Sequence, residues 1–118
     1  MESFFFNITD SRYKITELFK NVHEHITRVD ISNGVVFLDI SLTSNENREF
    51  HIKNLDRMVM LCVVKGGALT VSDNIQEKDY LSKNGDISIY CSSRQDLTLT
   101  TKKNEKSDIF ILFLADFF

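Results

Sequence analysis

The residues whose chemistry invites a functional reading are few in this 118-residue chain, and they are scattered. His23-Glu24-His25 has the composition of a metal pair, but the apolar spacing around it predicts a helix. Residues two apart on a helix point about 200° away from each other, so a solvated helix face is expected there. His51 lies in a separate strand-like run, and three histidines so dispersed do not converge through any spacing. Cys62 and Cys91 each sit in an apolar run with no histidine in pattern to act as a base, so core packing is expected before nucleophilic chemistry. Gly66-Gly67 lacks the following helix and the Lys-Ser/Thr of a phosphate loop and reads as a hairpin corner. Lys102, Lys103 and Lys106 form a small basic run, read as a charged turn protecting a strand edge. Arg57, Tyr90 and Asp96 are different. They are polar groups beside or within apolar strands, as at the mouth of a small-molecule pocket, and they are the candidate ligand-binding residues.

The elements that must position these groups are mostly strands. Residues 58 to 90 hold three strand-like runs broken by Gly66-Gly67, Ser72-Asp73-Asn74 and Asn84-Gly85-Asp86. Gly, Asn and Asp take positive φ cheaply, as tight turns require, so this stretch reads as an antiparallel meander. Upstream, Asn33-Gly34 is the strongest hairpin signal, joining Val29 and Ile31 to the alternating run Val36, Leu38, Ile40 and Leu42. Glu49–Lys53, Leu97–Thr100 and Ile109–Leu114 add further strands, and Ser3–Ile8 reads as a short strand or a packed arm. Between them, Ile15, Leu18, Phe19, Val22 and Ile26 recur at spacings of three and four, which predicts one amphipathic helix over 13–26, capped near Thr9, Asp10 and Ser11. One helix followed by eight or nine short strands predicts a mainly β sandwich or barrel.

Composition narrows the class. Apolar residues make up 42% of the chain with ten Phe, enough for one real core. The net charge of −3 argues against binding of nucleic acid or an anionic membrane by this segment. Two buried thiols with no basic leader ahead of Phe4-Phe5-Phe6 suggest reduced cysteines in a cytoplasmic protein. Residues 58–64 and 109–114 are apolar on both faces, so each sheet face there needs a cover. The helix serves for one. A second subunit serves for the other, with Phe110, Phe113 and Phe117 as the candidate dimerisation residues.

Val63-Val64-Lys65-Gly66, Leu69-Thr70-Val71, Tyr80-Leu81 and Asn84-Gly85-Asp86-Ile87-Ser88-Ile89 resemble the small-barrel pattern of the cupin superfamily. More particularly, the chain is similar to the N-terminal sensing domain of AraC-type transcription regulators. The resemblance runs over residues 50 to 115. It implies a cupin-like antiparallel β-barrel (double-stranded β-helix) that binds a small effector, dimerises, and leaves DNA to a helix-turn-helix domain beyond residue 118. The chain stopping at Phe117-Phe118 is read in the same sense, as the start of a helix leading onward. Where metal-binding cupins carry histidines and a glutamate, the spacing lands near Lys53, Leu55, Val59 and Asp96, so no metal and no cofactor are expected. The expectation is a non-catalytic sensor. The alternatives are a stand-alone cupin-like enzyme acting on a small polar or sugar substrate, and a purely structural dimerisation module.

Overall fold

A computed structural model describes residues 2–6, 14–21, 24–32, 34–43, 47–54, 57–92 and 94–115. Eleven strands run in chain order: β1 (Glu2–Phe6), β2 (Lys14–Lys20), β3 (His25–Ser32), β4 (Val35–Thr43), β5 (Arg48–Asn54), β6 (Met58–Gly66), β7 (Ala68–Asp73), β8 (Lys78–Lys83), β9 (Ile87–Ser92), β10 (Gln95–Thr101) and β11 (Lys106–Ala115). They form a five-stranded sheet ordered β1-β5-β10-β7-β8 and a six-stranded sheet ordered β2-β3-β4-β11-β6-β9. All pairings are antiparallel except β1 with β5.

Alternation builds the core. Along β4, Val36, Leu38, Ile40 and Leu42 are buried, and the residues between them are less so. β6 does the same with Met58, Met60, Cys62 and Val64, β10 with Leu97 and Leu99, and β11 with Ile109, Ile111 and Phe113. The two inner faces interdigitate as one apolar layer between the sheets, completed by Phe50, Ile52, Leu69 and Val71. Each such side chain contributes about 1.5–3 kcal/mol by leaving water.

The helix expected over 13–26 does not form. Most of its described residues lie in strands β2 and β3, and no helix occurs among the described residues. The reason is visible in the pairing: the register of β2 against β3 shifts between Glu17 and Phe19. An extra residue there breaks the period-two pattern, and the adjacent apolar Leu18-Phe19 then imitates helical spacing. Ile15 is 61% exposed, so the supposed stripe is not a buried face. The capping residues at 9–11 and His23 lie outside the described residues.

Nor is the barrel closed. The strands form two facing sheets with edge strands β1 and β8 on one and β2 and β9 on the other. The expected meander over 58–90 is likewise redistributed, because only β7 and β8 pair as a hairpin, while β6 pairs with β9. The chain crosses from one sheet to the other at Gly66-Gly67 and again at Asn84-Gly85-Asp86. Gly67 has φ of 76°, and a Cβ there would lie 2.6 Å from the Lys106 carbonyl oxygen. Asp86 ties the second crossing: its Oδ2 accepts from Lys83 N at 2.7 Å, and its carbonyl accepts from Val64 N at 3.0 Å.

Charge is also buried in pairs. Arg28 donates from Nε and Nη2 to the fully buried Asp30 at 3.0–3.2 Å. Glu24 accepts from Thr43 N at 3.2 Å and from Asn21 Nδ2 at 3.0 Å, and lies 3.6 Å from Arg48 Nη2.

Candidate functional site

The sheets part where β8 and β9, the edge strands next to the second crossing, face each other without a backbone ladder. An open cavity of about 700 Å³ lies there. β8 lines it with Tyr80 and Ser82, β9 with Ser88 and Tyr90, and the start of β10 with Gln95 and Leu97; Asp73, Asp79 and Arg94 also border it. The local reason is parity. Tyr80 and Ser82 share one face of β8, Ser88 and Tyr90 share one face of β9, and the chain reversal at 84–86 turns both faces toward the same space.

The lining is largely polar, with Leu81, Ile89, Cys91 and Leu97 as its apolar members. The Ser82 and Ser88 hydroxyl oxygens lie 3.1 Å apart. Tyr90 meets Tyr80 edge to face, with ring centroids 5.8 Å apart. Burial pushes the Tyr90 phenol above its ordinary pKa, and hydrogen bonding with Ser82 and Ser88 partly offsets that rise. The phenol is therefore neutral near pH 7 and acts as a hydroxyl donor and acceptor. Gln95, 3% exposed, donates from Nε2 to the Met58 carbonyl at 3.2 Å and the Tyr90 carbonyl at 3.5 Å. Its Oε1 is buried without a hydrogen-bond partner. The amide thus braces the cavity floor and leaves an unused acceptor there.

Of the three candidate ligand residues, Tyr90 lines this cavity, whereas Arg57 and Asp96 are not among its lining residues. Arg57 is exposed just ahead of β6. Asp96 is engaged by Asn74, whose Nδ2 donates to its Oδ1 at 3.1 Å and whose backbone N donates to its carbonyl at 2.9 Å. The residues that join Tyr90 are Tyr80, Ser82, Ser88, Arg94 and Gln95, which the apolar alternation does not single out. The "y-L" and "G-D-I-S-I" segments of the resemblance carry two of them, Tyr80 and Ser88.

The dimerisation candidates separate by face. Phe110 is on the outer face of the six-stranded sheet, edge to face with Phe37 at 4.0 Å and under the Lys65 ammonium at 4.5 Å. Phe113 points inward and is fully buried in the core, so its ring belongs to no surface. Phe117 lies outside the described residues. The cysteines part in the same way. Cys62 is buried, as expected, but Cys91 is exposed, and both are free thiols. Among the described residues, no three or more His, Cys, Asp and Glu gather as a metal site. His25 lies 3.3 Å from Asp39 and His51 lies 3.1 Å from Glu49.

No family model matches the sequence, and no curated protein matches it. Solved structures do match in shape. A sugar phosphate isomerase of the cupin superfamily from Silicibacter pomeroyi superposes with a TM-score of 0.53 at 11% identity, over 78% of this chain and 59% of that one. The Cupin_2 domain of an XRE family transcriptional regulator from Enterobacter cloacae superposes with a TM-score of 0.53 at 10% identity, over 86% of this chain and 94% of that one. The fold is cupin-like. An HTH_3 family transcriptional regulator from Vibrio cholerae gives a TM-score of 0.52 at 12% identity, over 79% of this chain and 51% of that one. This cupin-like chain therefore spans about half the length of the Vibrio regulator and 59% of the isomerase. Among the described residues, no helix is long and apolar enough to cross a membrane.

Proposed function

We propose that this cupin-like chain is the small-molecule-sensing and dimerisation domain of a cytoplasmic transcription regulator of the AraC type, binding an effector without transforming it. The observation that carries the reading is the cavity between β8 and β9, with two tyrosines, two hydroxyls and a braced amide converging on one space. Such a set recognises a small polar molecule by hydrogen bonds against aromatic walls. Two of the matching structures are regulators, which supports a regulatory setting. In this reading DNA contact belongs to a separate domain, in keeping with the net charge of −3 here. Binding regulates only if the effector has different affinities for two arrangements of the protein.

A second reading is a small-substrate enzyme, favoured by the likeness to a sugar phosphate isomerase. One experiment addresses both. The protein is screened by thermal shift against neutral sugars, sugar phosphates and small carboxylic acids, and every hit is followed by NMR. The expected result is a ligand that raises the melting temperature, less so in Tyr90→Phe and Ser88→Ala, and that stays chemically unchanged. Turnover of a hit would replace the sensor with an enzyme. A hit whose binding ignores both substitutions would remove this cavity as the site.

A further inference from the structure

On the outer face of the six-stranded sheet, one row of apolar residues runs the whole width. The registers align Ile15, Val29, Phe37, Leu112, Leu61 and Ile89 in one row that crosses all six strands. A neighbouring row carries Phe110, Val63 and Ile87 on β11, β6 and β9 and turns polar at Asp39, Thr27 and Glu17 on β4, β3 and β2, and another carries Val35, Leu114, Val59 and Cys91. These are the outward partners of the core positions, and a sheet face turned to water would alternate them with polar residues. Instead Ile15 is 61% exposed, Ile87 67%, Ile89 68% and Leu114 41%. With β2 and β3 taking the place of the expected helix, no described element covers this face.

We propose that this face packs against the same face of a second copy of the chain. This deepens the dimer in the reading above, on which it rests, by naming the contact surface. Width decides against a helix as cover. A helix is about 10 Å across and shields about two strands, whereas six strands at about 4.8 Å spacing span about 24 Å. Only another sheet matches that breadth, and sheets pack face to face at about 10 Å.

The area fits a small, reversible interface. Three rows about 6.7 Å apart over that width make a footprint of about 480 Å², below the about 800 Å² per partner of a standard interface, so a weak dimer is expected. Charge does not oppose the contact. The polar side chains of this face gather toward one end and are paired within the chain: Lys65 with Asp108 at 3.6 Å, His25 with Asp39 at 3.3 Å, and Lys20 with Glu17 at 3.7 Å. The shared face is self-complementary, as a two-fold contact requires.

The test measures mass by light scattering and sedimentation from low micromolar to near-millimolar protein, for the wild type, Leu112→Lys and Ile87→Lys. Ile87→Lys cannot unfold the monomer by unpacking it, because that side chain is already mostly in water. The expected result is a wild-type dimer whose dissociation constant rises at least about tenfold in each variant, with alkylation of Cys91 slowing as the wild type is concentrated. A monomer throughout, a dimer indifferent to both substitutions, or a monomer that binds neutral lipid vesicles through this face would each overturn the proposal. The ligand screen is independent: a dimer without a ligand sinks the sensor and keeps the interface, and a ligand-binding monomer does the reverse.

Discussion

Ser82 and Ser88 hold their hydroxyl oxygens 3.1 Å apart across the gap between β8 and β9, two edge strands that belong to different sheets. No backbone ladder joins those strands, so this side-chain bridge stands at the point where the sandwich opens. Removing one hydroxyl leaves the other with a lost partner in a half-buried setting. Ser82→Ala is expected to lower stability by about 1 kcal/mol and to weaken binding of a ligand found for the cavity. Chemical denaturation and titration calorimetry on the same variant measure both effects.

Glu24 and Arg48 are each less than a tenth exposed and lie 3.6 Å apart. Deleting one charge removes a buried counter-charge from the other. Glu24→Ala is expected to cost about 3 kcal/mol or more, and Glu24→Ala combined with Arg48→Met distinctly less than the sum of the two single changes. A double-mutant cycle by urea denaturation checks this.

Burial pushes the Cys62 thiol from 9.0 up to about 12. The folded chain therefore holds that proton more tightly than the unfolded one. The stability contribution is complete below about pH 9 and is lost as pH rises from 9 toward 12, by up to about 4 kcal/mol. Melting temperatures between pH 8 and pH 11 should fall less steeply in Cys62→Ala. At pH 8 a thiol reagent should titrate Cys91 at once and Cys62 only after denaturant is added.

Gly67 and Gly85 both have positive φ, but they stand in different surroundings. A Cβ at Gly67 would meet the Lys106 carbonyl oxygen at 2.6 Å, whereas one at Gly85 would meet nothing within 4 Å. Gly85→Ala is expected to cost about 1 kcal/mol through its backbone conformation alone. Gly67→Ala should cost at least about 1 kcal/mol more, because β11 must shift as well. Thermal unfolding of the two variants ranks them.

Most strands were legible wherever a buried inner face alternates with a less buried outer one. Val36 to Leu42 and Leu97 to Thr100 show that period plainly, and Asn33-Gly34 and Asn84-Gly85 mark the breaks. Two strands escaped for opposite reasons. In β2 the register shift near Leu18 destroyed the alternation and left a spacing that a helix shares. In β8, Lys78–Lys83, only Ser82 is buried, because the strand walls a polar cavity and has no apolar face to announce it. The candidate site was hard to see for that same reason, since Tyr80, Ser82 and Arg94 follow no hydrophobic period. Asp96 and Arg57 drew notice as polar residues beside apolar strands, yet which polar residue borders a cavity depends on pairings between strands distant in sequence.

The position of β11 has a consequence for how this chain acquires its structure. It is the latest of the described strands in sequence, yet it sits in the middle of the six-stranded sheet, between β4 and β6. Thr43 waits for Lys106, and Met58 waits for Ala115. The β2-β3-β4 and β6-β9 halves of that sheet remain separate until residues 106–115 have emerged, so the chain cannot settle segment by segment during synthesis. Closing such long loops before any contact rewards them makes folding slow and cooperative, and it leaves the edges of β4 and β6 unpaired in the nascent polypeptide until its closing strand arrives.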